Sequence, residues 1–290
     1  MKIVIPENLE LSEEQIDKLN NLGDVKIYID NPKDSEEWLE RVKGADIIGA
    51  RKASVENNYQ ELRDVFISCP FVDIGWADEE ILAKNNIKIK NSPGCNKESV
   101  SEWIIGMMIN LFRELYKDIK TQDFNNDQNT TGLFNKKVCI LGSGNIGSRV
   151  GKICEALEMK VSHFKRGDDL LAKTTSQDIV INCLGTNKST ENLLDKKFFN
   201  NLKKDSFFIS VSSKKLLDLK AMFEAIDNEA LKGVALDKSI IKSEDEPLYQ
   251  EIKKRDKVIL ARIAARTDIT LKTANDIMVK NIEEYLTKND

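Results

Sequence analysis

Val138-Cys139-Ile140-Leu141-Gly142-Ser143-Gly144-Asn145-Ile146-Gly147 is a short apolar run that passes directly into G-x-G-x-x-G. Setting gives the glycines their meaning: strand residues precede them, and a helical pattern over Ile146–Leu157 follows. In a strand–turn–helix unit of this kind the first glycine makes a tight turn. The second lets the backbone approach a pyrophosphate, and the third lets helix and strand pack closely. The free N–H groups at the helix start then face the anion. The stretch predicts a dinucleotide-binding fold.

Working outward, the same alternation continues. Lys160–Phe164, Asp178–Cys183, Phe207–Val211, Val234–Leu236 and Val258–Leu260 read as strands, giving a doubly wound pattern. Towards the N-terminus, Lys2–Ile5, Val25–Ile29, Ala45–Ile48, Val65–Ser68 and Ile87–Ile89 read as a second set. Helices are predicted between them: one opened by the capping box Ser12-Glu13-Glu14-Gln15, one over Asp34–Val42 and one over Asn58–Arg63. Strand–helix alternation implies parallel sheets with helices on both faces. Asn91-Ser92-Pro93-Gly94 is a turn cluster and a candidate hinge. Beyond it, Val100, Trp103, Ile104, Met107, Met108, Leu111 and Leu115 form one apolar stripe, which predicts a single long helix over Ser99–Lys117. Thr121–Thr131 reads as a loop or linker.

Composition narrows the function classes. The 290 residues carry 44 Lys+Arg against 48 Asp+Glu, a net charge of −4 with both signs interspersed, which argues against a nucleic-acid or anionic-membrane partner. With 41% hydrophobic and 32% charged residues, the chain has enough apolar material for sizeable cores and is neither disordered nor fibrous. No apolar run reaches the roughly eighteen residues of a membrane span, and Met1–Pro6 is too short for a signal sequence, so a cytoplasmic location is expected. Five cysteines without a C-x-x-C pair and a single histidine, His163, point away from disulfides and from a zinc site; no metal is expected.

An NAD site is expected to place Asp or Glu at the end of the second strand, on the ribose 2′-hydroxyl. Here Lys160–Phe164 runs into Lys165 and Arg166. Two cations at that position suit a 2′-phosphate and favour NADP; if they are ordinary solvated loop charges, NAD remains open. His163 is read as structural or adenosine-side, since this strand end is remote from a nicotinamide ring.

Asn91-Ser92-Pro93-Gly94-Cys95-Asn96-Lys97-Glu98-Ser99-Val100-Ser101-Glu102 is similar to the N-x-P-G-x-N-x-x-S-V-A-E signature of the D-isomer-specific 2-hydroxyacid dehydrogenases. Thr190 matches a threonine of that family, Ala235-Leu236-Asp237 resembles its G-L-D, and Glu246-Pro247 resembles its E-P. The resemblance implies an α/β fold of two Rossmann-like domains, doubly wound parallel sheets with a cofactor cleft between them. It implies a flavodoxin-like substrate domain over 1–96 plus 268–290 and a dinucleotide-binding domain over 97–267. It further implies homodimers and a small 2-hydroxy or 2-keto acid as substrate. Carried over residue by residue, Gly142, Gly144, Asn145, Ile146 and Gly147 would hold the pyrophosphate, and Asp237 would lie near the nicotinamide carboxamide.

Two positions depart from the family. Its N-x-x-R-G arginine, which binds the substrate carboxylate and polarises the carbonyl, is replaced in Ser210-Val211-Ser212-Ser213-Lys214 by Ser213. Its P-H-x-A histidine, which transfers the proton, is replaced in Leu260-Ala261-Arg262-Ile263-Ala264 by Arg262. Such groups are worth about 10²–10⁴-fold each in rate. Arg262 paired with Glu246 is one candidate replacement, and Lys214 or Lys215 another. Drift is the bland alternative, with Arg262–Glu246 a leftover ion pair. Three functions stay open: an oxidoreductase with a non-standard set of Lys214, Glu246 and Arg262; an NAD(P)-binding protein without turnover; and a binder of a phosphorylated or carboxylated metabolite.

Overall fold

The computed structural model describes residues 1–122, 129–244 and 246–289. Its chain divides into two compact units, Met1–Asn96 together with the residues from Thr267 onward, and Lys97–Arg266.

In the first unit β1 (Lys2–Ile5), β2 (Asp24–Ile27), β3 (Ile47–Gly49), β4 (Val65–Ser68) and β5 (Ile87–Lys90) form one parallel sheet in the order β2-β1-β3-β4-β5. That is the flavodoxin-like order. Neighbouring residues of a strand serve opposite faces. Val4, Ile48 and Ile67 pack with Trp38, Val55 and Tyr59 on one side, while Ile3, Ile5, Ile47 and Phe66 pack with Leu19, Met278 and Ile282 on the other. Met278 and Ile282 belong to the helix Asp268–Asn289, which also stacks Tyr285 on Phe66 at 4.1 Å. The Ser12 capping box is present: Gln15 N–H donates to Ser12 Oγ at 3.3 Å and Ser12 N–H to Gln15 Oε1 at 2.9 Å. The helix expected over Asn58–Arg63 lies earlier, over Lys52–Asn58, with only a 3₁₀ turn at Tyr59–Glu61. Its start gave no signal because Arg51, at the N-cap, makes no side-chain cap bond.

In the second unit β6 (Lys137–Leu141), β7 (Lys160–Phe164), β8 (Ile179–Asn182), β9 (Ser206–Ser210), β10 (Leu231–Asp237) and β11 (Val258–Ala261) make a six-stranded parallel sheet, ordered β11-β10-β9-β8-β6-β7. Strand order reverses beside β6, which creates a switch point outside the carboxyl ends of β6 and β8. Cys139, Leu141, Val180 and Phe208 bury one face with Phe198 and Phe199; Val138, Ile140, Ile179, Ile181 and Ile209 bury the other with Ile104, Met108 and Val150.

The single helix expected over Ser99–Lys117 is two. Lys97–Arg113 ends where Glu114 turns left-handed at φ +52°, and Leu115–Thr121 follows. The Asn110 side chain causes the break by competing with the backbone: its Oδ1 accepts the Tyr116 N–H at 2.9 Å. Leu115 is thereby removed from the stripe and is 39% exposed. Thr121 closes the second helix instead of opening a loop; of the expected linker, residues 123–128 lie outside the described residues. Among the described residues no helix is long and apolar enough to cross a membrane.

Candidate functional site

The glycine turn leaves β6 at the switch point, and its three glycines differ in surroundings. Gly142 has φ +100°, a backbone state L-residues rarely adopt, and a Cβ there would sit 3.2 Å from Cys183 O. At Gly147 a Cβ would lie 2.2 Å from Gly142 O and 3.3 Å from Ile140 Cγ2, so only glycine lets the helix Asn145–Ala156 press onto the turn. Gly144, the N-cap, has nothing within 4 Å of such a Cβ; its outer side is open. These are the three separate duties a dinucleotide turn requires. The turn is braced by Ser148, whose N–H donates to Gly144 O at 2.9 Å and whose hydroxyl donates to Ser143 O at 2.8 Å.

A cavity of about 380 Å³ opens over this turn, lined by Ser143, Gly144, Asn145 and Ser148 together with Lys97, Arg149 and Lys152. The three cations went unread in the sequence. Arg149 and Lys152 stand three residues apart past Gly147, on the helix face away from the buried Val150 and Gly151. Arg149 Nε donates to Ser101 Oγ at 3.0 Å, and Lys97 stands 3.6 Å from Glu98. A larger depression of about 860 Å³, along Lys33–Lys43, is open charged surface without converging groups.

At the end of β7, Lys165 and Arg166 are exposed and make no ion pair among the described residues. The chain reverses at Gly167, φ +96°, so that Asp168 accepts the Lys165 N–H at 2.9 Å. A carboxylate the sequence reading passed over therefore shares this turn. His163 packs against the helix: a Cβ on Gly151 would stand 2.7 Å from its Nε2, while its Nδ1 is buried without a partner.

The other candidates gather beyond the carboxyl ends of β9, β10 and β11, whose last residues are in register, Ser210 beside Leu236 and Asp237 beside Ala261. Ser213 caps the 3₁₀ turn Lys214–Leu216, its Oγ accepting the Lys215 N–H at 3.3 Å. The pairing expected between Arg262 and Glu246 is not formed. Glu246 Oε1 instead takes the Lys214 ammonium, and Oε2 accepts the Lys242 N–H at 2.8 Å. Lys214, held by the 3₁₀ turn, reaches Glu246 directly, whereas Arg262, although nearer in sequence, is exposed and makes no ion pair among the described residues. The Lys214 bond, followed by the Lys242 amide, holds the Glu246 carboxyl below the usual carboxylate range. Asp237, 6% exposed, accepts Ser239 N–H at 2.7 Å and Ala264 N–H at 3.0 Å, tying β10 to the segment after β11. Thr190 donates to Gly185 O at 2.8 Å and accepts the Asn187 N–H at 2.9 Å, bracing the loop after β8. Among the described residues no group of three or more His, Cys, Asp or Glu could hold a metal ion.

Residues 105–262, more than half of the chain, match the model for the NAD binding domain of D-isomer specific 2-hydroxyacid dehydrogenases. The chain belongs to that family. It is 26% identical over 258 residues to a putative D-3-phosphoglycerate dehydrogenase of Schizosaccharomyces pombe, covering 82% of this chain and 54% of that protein. With the D-3-phosphoglycerate dehydrogenase of Escherichia coli K12 it shares 28% over 224 residues, 70% of this chain and 54% of the relative. The chain thus spans about half the length of these two relatives. Its fold is shared with an acyclic imino acid reductase solved with NADPH and D-arginine, at TM-score 0.83, 22% identity, and coverage of 99% of this chain and 98% of that one.

Proposed function

We propose that the protein is a nicotinamide-dependent oxidoreductase that moves a hydride to or from C2 of a small 2-hydroxy or 2-keto acid, using a non-standard set of side chains. The observation that carries this reading is the division of labour among Gly142, Gly144 and Gly147, one in a left-handed turn, one open to a ligand and one pressed against the strand. In this reading the amides around Gly144, Asn145 and Ile146 hold the pyrophosphate, and Lys165 and Arg166 favour the 2′-phosphate of NADP. The bound coenzyme supplies or accepts the hydride. The unit Met1–Asn96 with the last helix serves as the substrate domain.

Arg262 offers a permanently charged, exposed fork for the substrate carboxylate. Lys214 supplies positive charge near the reacting oxygen, and Glu246 fixes its position. Asp237 keeps the ends of β10 and β11 in place for both. We further propose a cytoplasmic homodimer. Ile109, Ile119 and Phe134, exposed apolar side chains of the unit Lys97–Arg266, support the pairing.

The test is reduced-nicotinamide absorbance with NADPH or NADH and a panel of 2-keto acids. Oxidation above background that is lost in Lys214→Ala or Arg262→Ala supports the reading. A second reading, an NAD(P)-binding protein without turnover, is favoured by Ser213 and Arg262 standing where the family has its electrophile and its acid. Tight coenzyme binding with no oxidation would select it.

A further inference from the structure

Among the described residues lining the cavity over the glycine turn, none is acidic. Two other depressions mix their charges: the one along Lys33–Lys43 sets its lysines beside Asp34, Glu36, Glu37 and Glu40, and the one at Arg255 holds Glu224, Asp227 and Glu251. Lys97, Arg149 and Lys152 therefore gather positive charge in one recess of a chain whose net charge is −4. Lys97 has a loose partner, Glu98 at 3.6 Å, in an exposed pair of little strength. Lys152 is exposed and makes no ion pair among the described residues. Arg149 is fixed by a bond that leaves its phosphate-binding edge open. Its Nε donates to Ser101 Oγ at 3.0 Å, and Ser101, fully buried, donates in turn to Glu98 O at 2.8 Å. The two Nη groups make no hydrogen bond among the described residues, so the fork that takes phosphate oxygens in pairs is available.

Cations from two helices, Lys97–Arg113 and Asn145–Ala156, and the N–H groups at the start of the second thus converge on one cavity inside the unit Lys97–Arg266. Like charges so placed repel one another, and a multiply charged anion relieves them. We propose that Lys97, Arg149 and Lys152 form a side-chain site for a diphosphate group, beside the amides of Gly144, Asn145 and Ile146. Two ligands carry that group: the dinucleotide coenzyme, for which the proposal rests on the oxidoreductase reading above, and a free nucleoside diphosphate. In the coenzyme the diphosphate is esterified at both ends and bears one charge on each phosphate. In a free nucleoside diphosphate the terminal phosphate ionises again at about pH 6, so at pH 8 it brings more charge to the same three cations. A nucleoside diphosphate therefore competes with the coenzyme. Neither Lys165 nor Arg166 lines this cavity. The site senses the diphosphate and not the ribose 2′-phosphate, so it strengthens NADH and NADPH alike.

The experiment titrates the full chain with NADH, NADPH and ADP by calorimetry at pH 8 and low salt. The site variant combines Lys97→Gln, Arg149→Gln and Lys152→Gln; a control of equal charge change combines Lys33→Gln, Lys43→Gln and Lys220→Gln, and denaturant unfolding shows that both are folded. The site variant should lose about 10²-fold in affinity for NADH and NADPH alike, and at least as much for ADP, since hydrogen bonds to charged groups are worth roughly tenfold or more each. The control should bind as the parent does. Loss of coenzyme affinity in the site variant, with no ADP binding by the parent, assigns the site to the dinucleotide alone. ADP binding that the site variant loses, with neither coenzyme bound by the parent, assigns it to the free nucleotide and overturns the oxidoreductase reading. Unchanged affinities in the site variant, a loss confined to NADPH, or an equal loss in the control overturns the inference and leaves the oxidoreductase reading standing. No binding of any of the three by the parent overturns both.

Discussion

Alanine at two glycines three positions apart should give opposite outcomes. At Gly147 the new methyl would meet a backbone oxygen at 2.2 Å, more than 1 Å inside ordinary contact. No rotamer relieves this, so the helix Asn145–Ala156 must move off the turn. Overpacking of this kind costs about 1–3 kcal/mol, and a contact with backbone belongs at the upper end. Alanine returns about 1 kcal/mol of helix propensity. The net loss is therefore about 2 kcal/mol, or roughly 4–8 °C in the transition of the unit Lys97–Arg266. At Gly144 nothing lies within 4 Å and φ is −74°, so alanine should cost at most about 1 kcal/mol, the value of the N-cap preference. Its methyl occupies the open side on which the pyrophosphate is proposed to lie, so the coenzyme Kd should rise at least about tenfold, equivalent to about 1.4 kcal/mol. Denaturant unfolding of the ligand-free variants and titration with reduced coenzyme, followed by nicotinamide fluorescence, separate the two effects. Gly147→Ala as stable as the parent, or Gly144→Ala binding coenzyme as well as the parent, would refute the assignment of these glycines.

Lys165→Asp combined with Arg166→Ala should weaken NADPH much more than NADH in the same titration; equal loss for both would leave the exposed pair without a role in coenzyme choice. Burial pushes the Cys69 and Cys154 thiols up to about 12, so a thiol reagent at pH 8 should leave these two unmodified in the folded chain and label all five cysteines after unfolding. Rapid labelling of Cys154 under native conditions would contradict the packing of the helix Asn145–Ala156. The Glu246 carboxyl titrates below its ordinary value of 4.5 through the Lys214 bond. That pair therefore contributes fully above pH 4.5 and is lost as pH falls through the lowered value. Carboxyl ¹³C titration should show Glu246 moving up towards 4.5 in Lys214→Ala, and an unchanged midpoint would show that the bond does not persist in solution.

Both sheets could be read from local pattern, because each strand is a short β-branched or aromatic run whose alternate residues feed two cores, as with Val4 against Ile3 and Ile5. The break at Glu114 could not, since it depends on one side chain, Asn110, reaching six residues along to Tyr116. At the candidate site the glycine turn announced itself through its spacing. The cations Lys97, Arg149 and Lys152 did not, because the first comes from a different helix and all three are unremarkable charges in sequence. The partner of Glu246 is not legible in the sequence for a similar reason. Arg262 and Lys214 are equally plausible on charge, and only the 3₁₀ turn after Ser213 brings the lysine within reach.

The most direct test is backbone amide hydrogen exchange of the full chain with and without saturating NADPH. Slowed exchange confined to Ser143–Gly147 and the Lys165–Asp168 turn, with saturable one-to-one binding, is the predicted result. Absence of saturable binding, or protection that maps elsewhere and leaves Ser143–Gly147 unchanged, would contradict it.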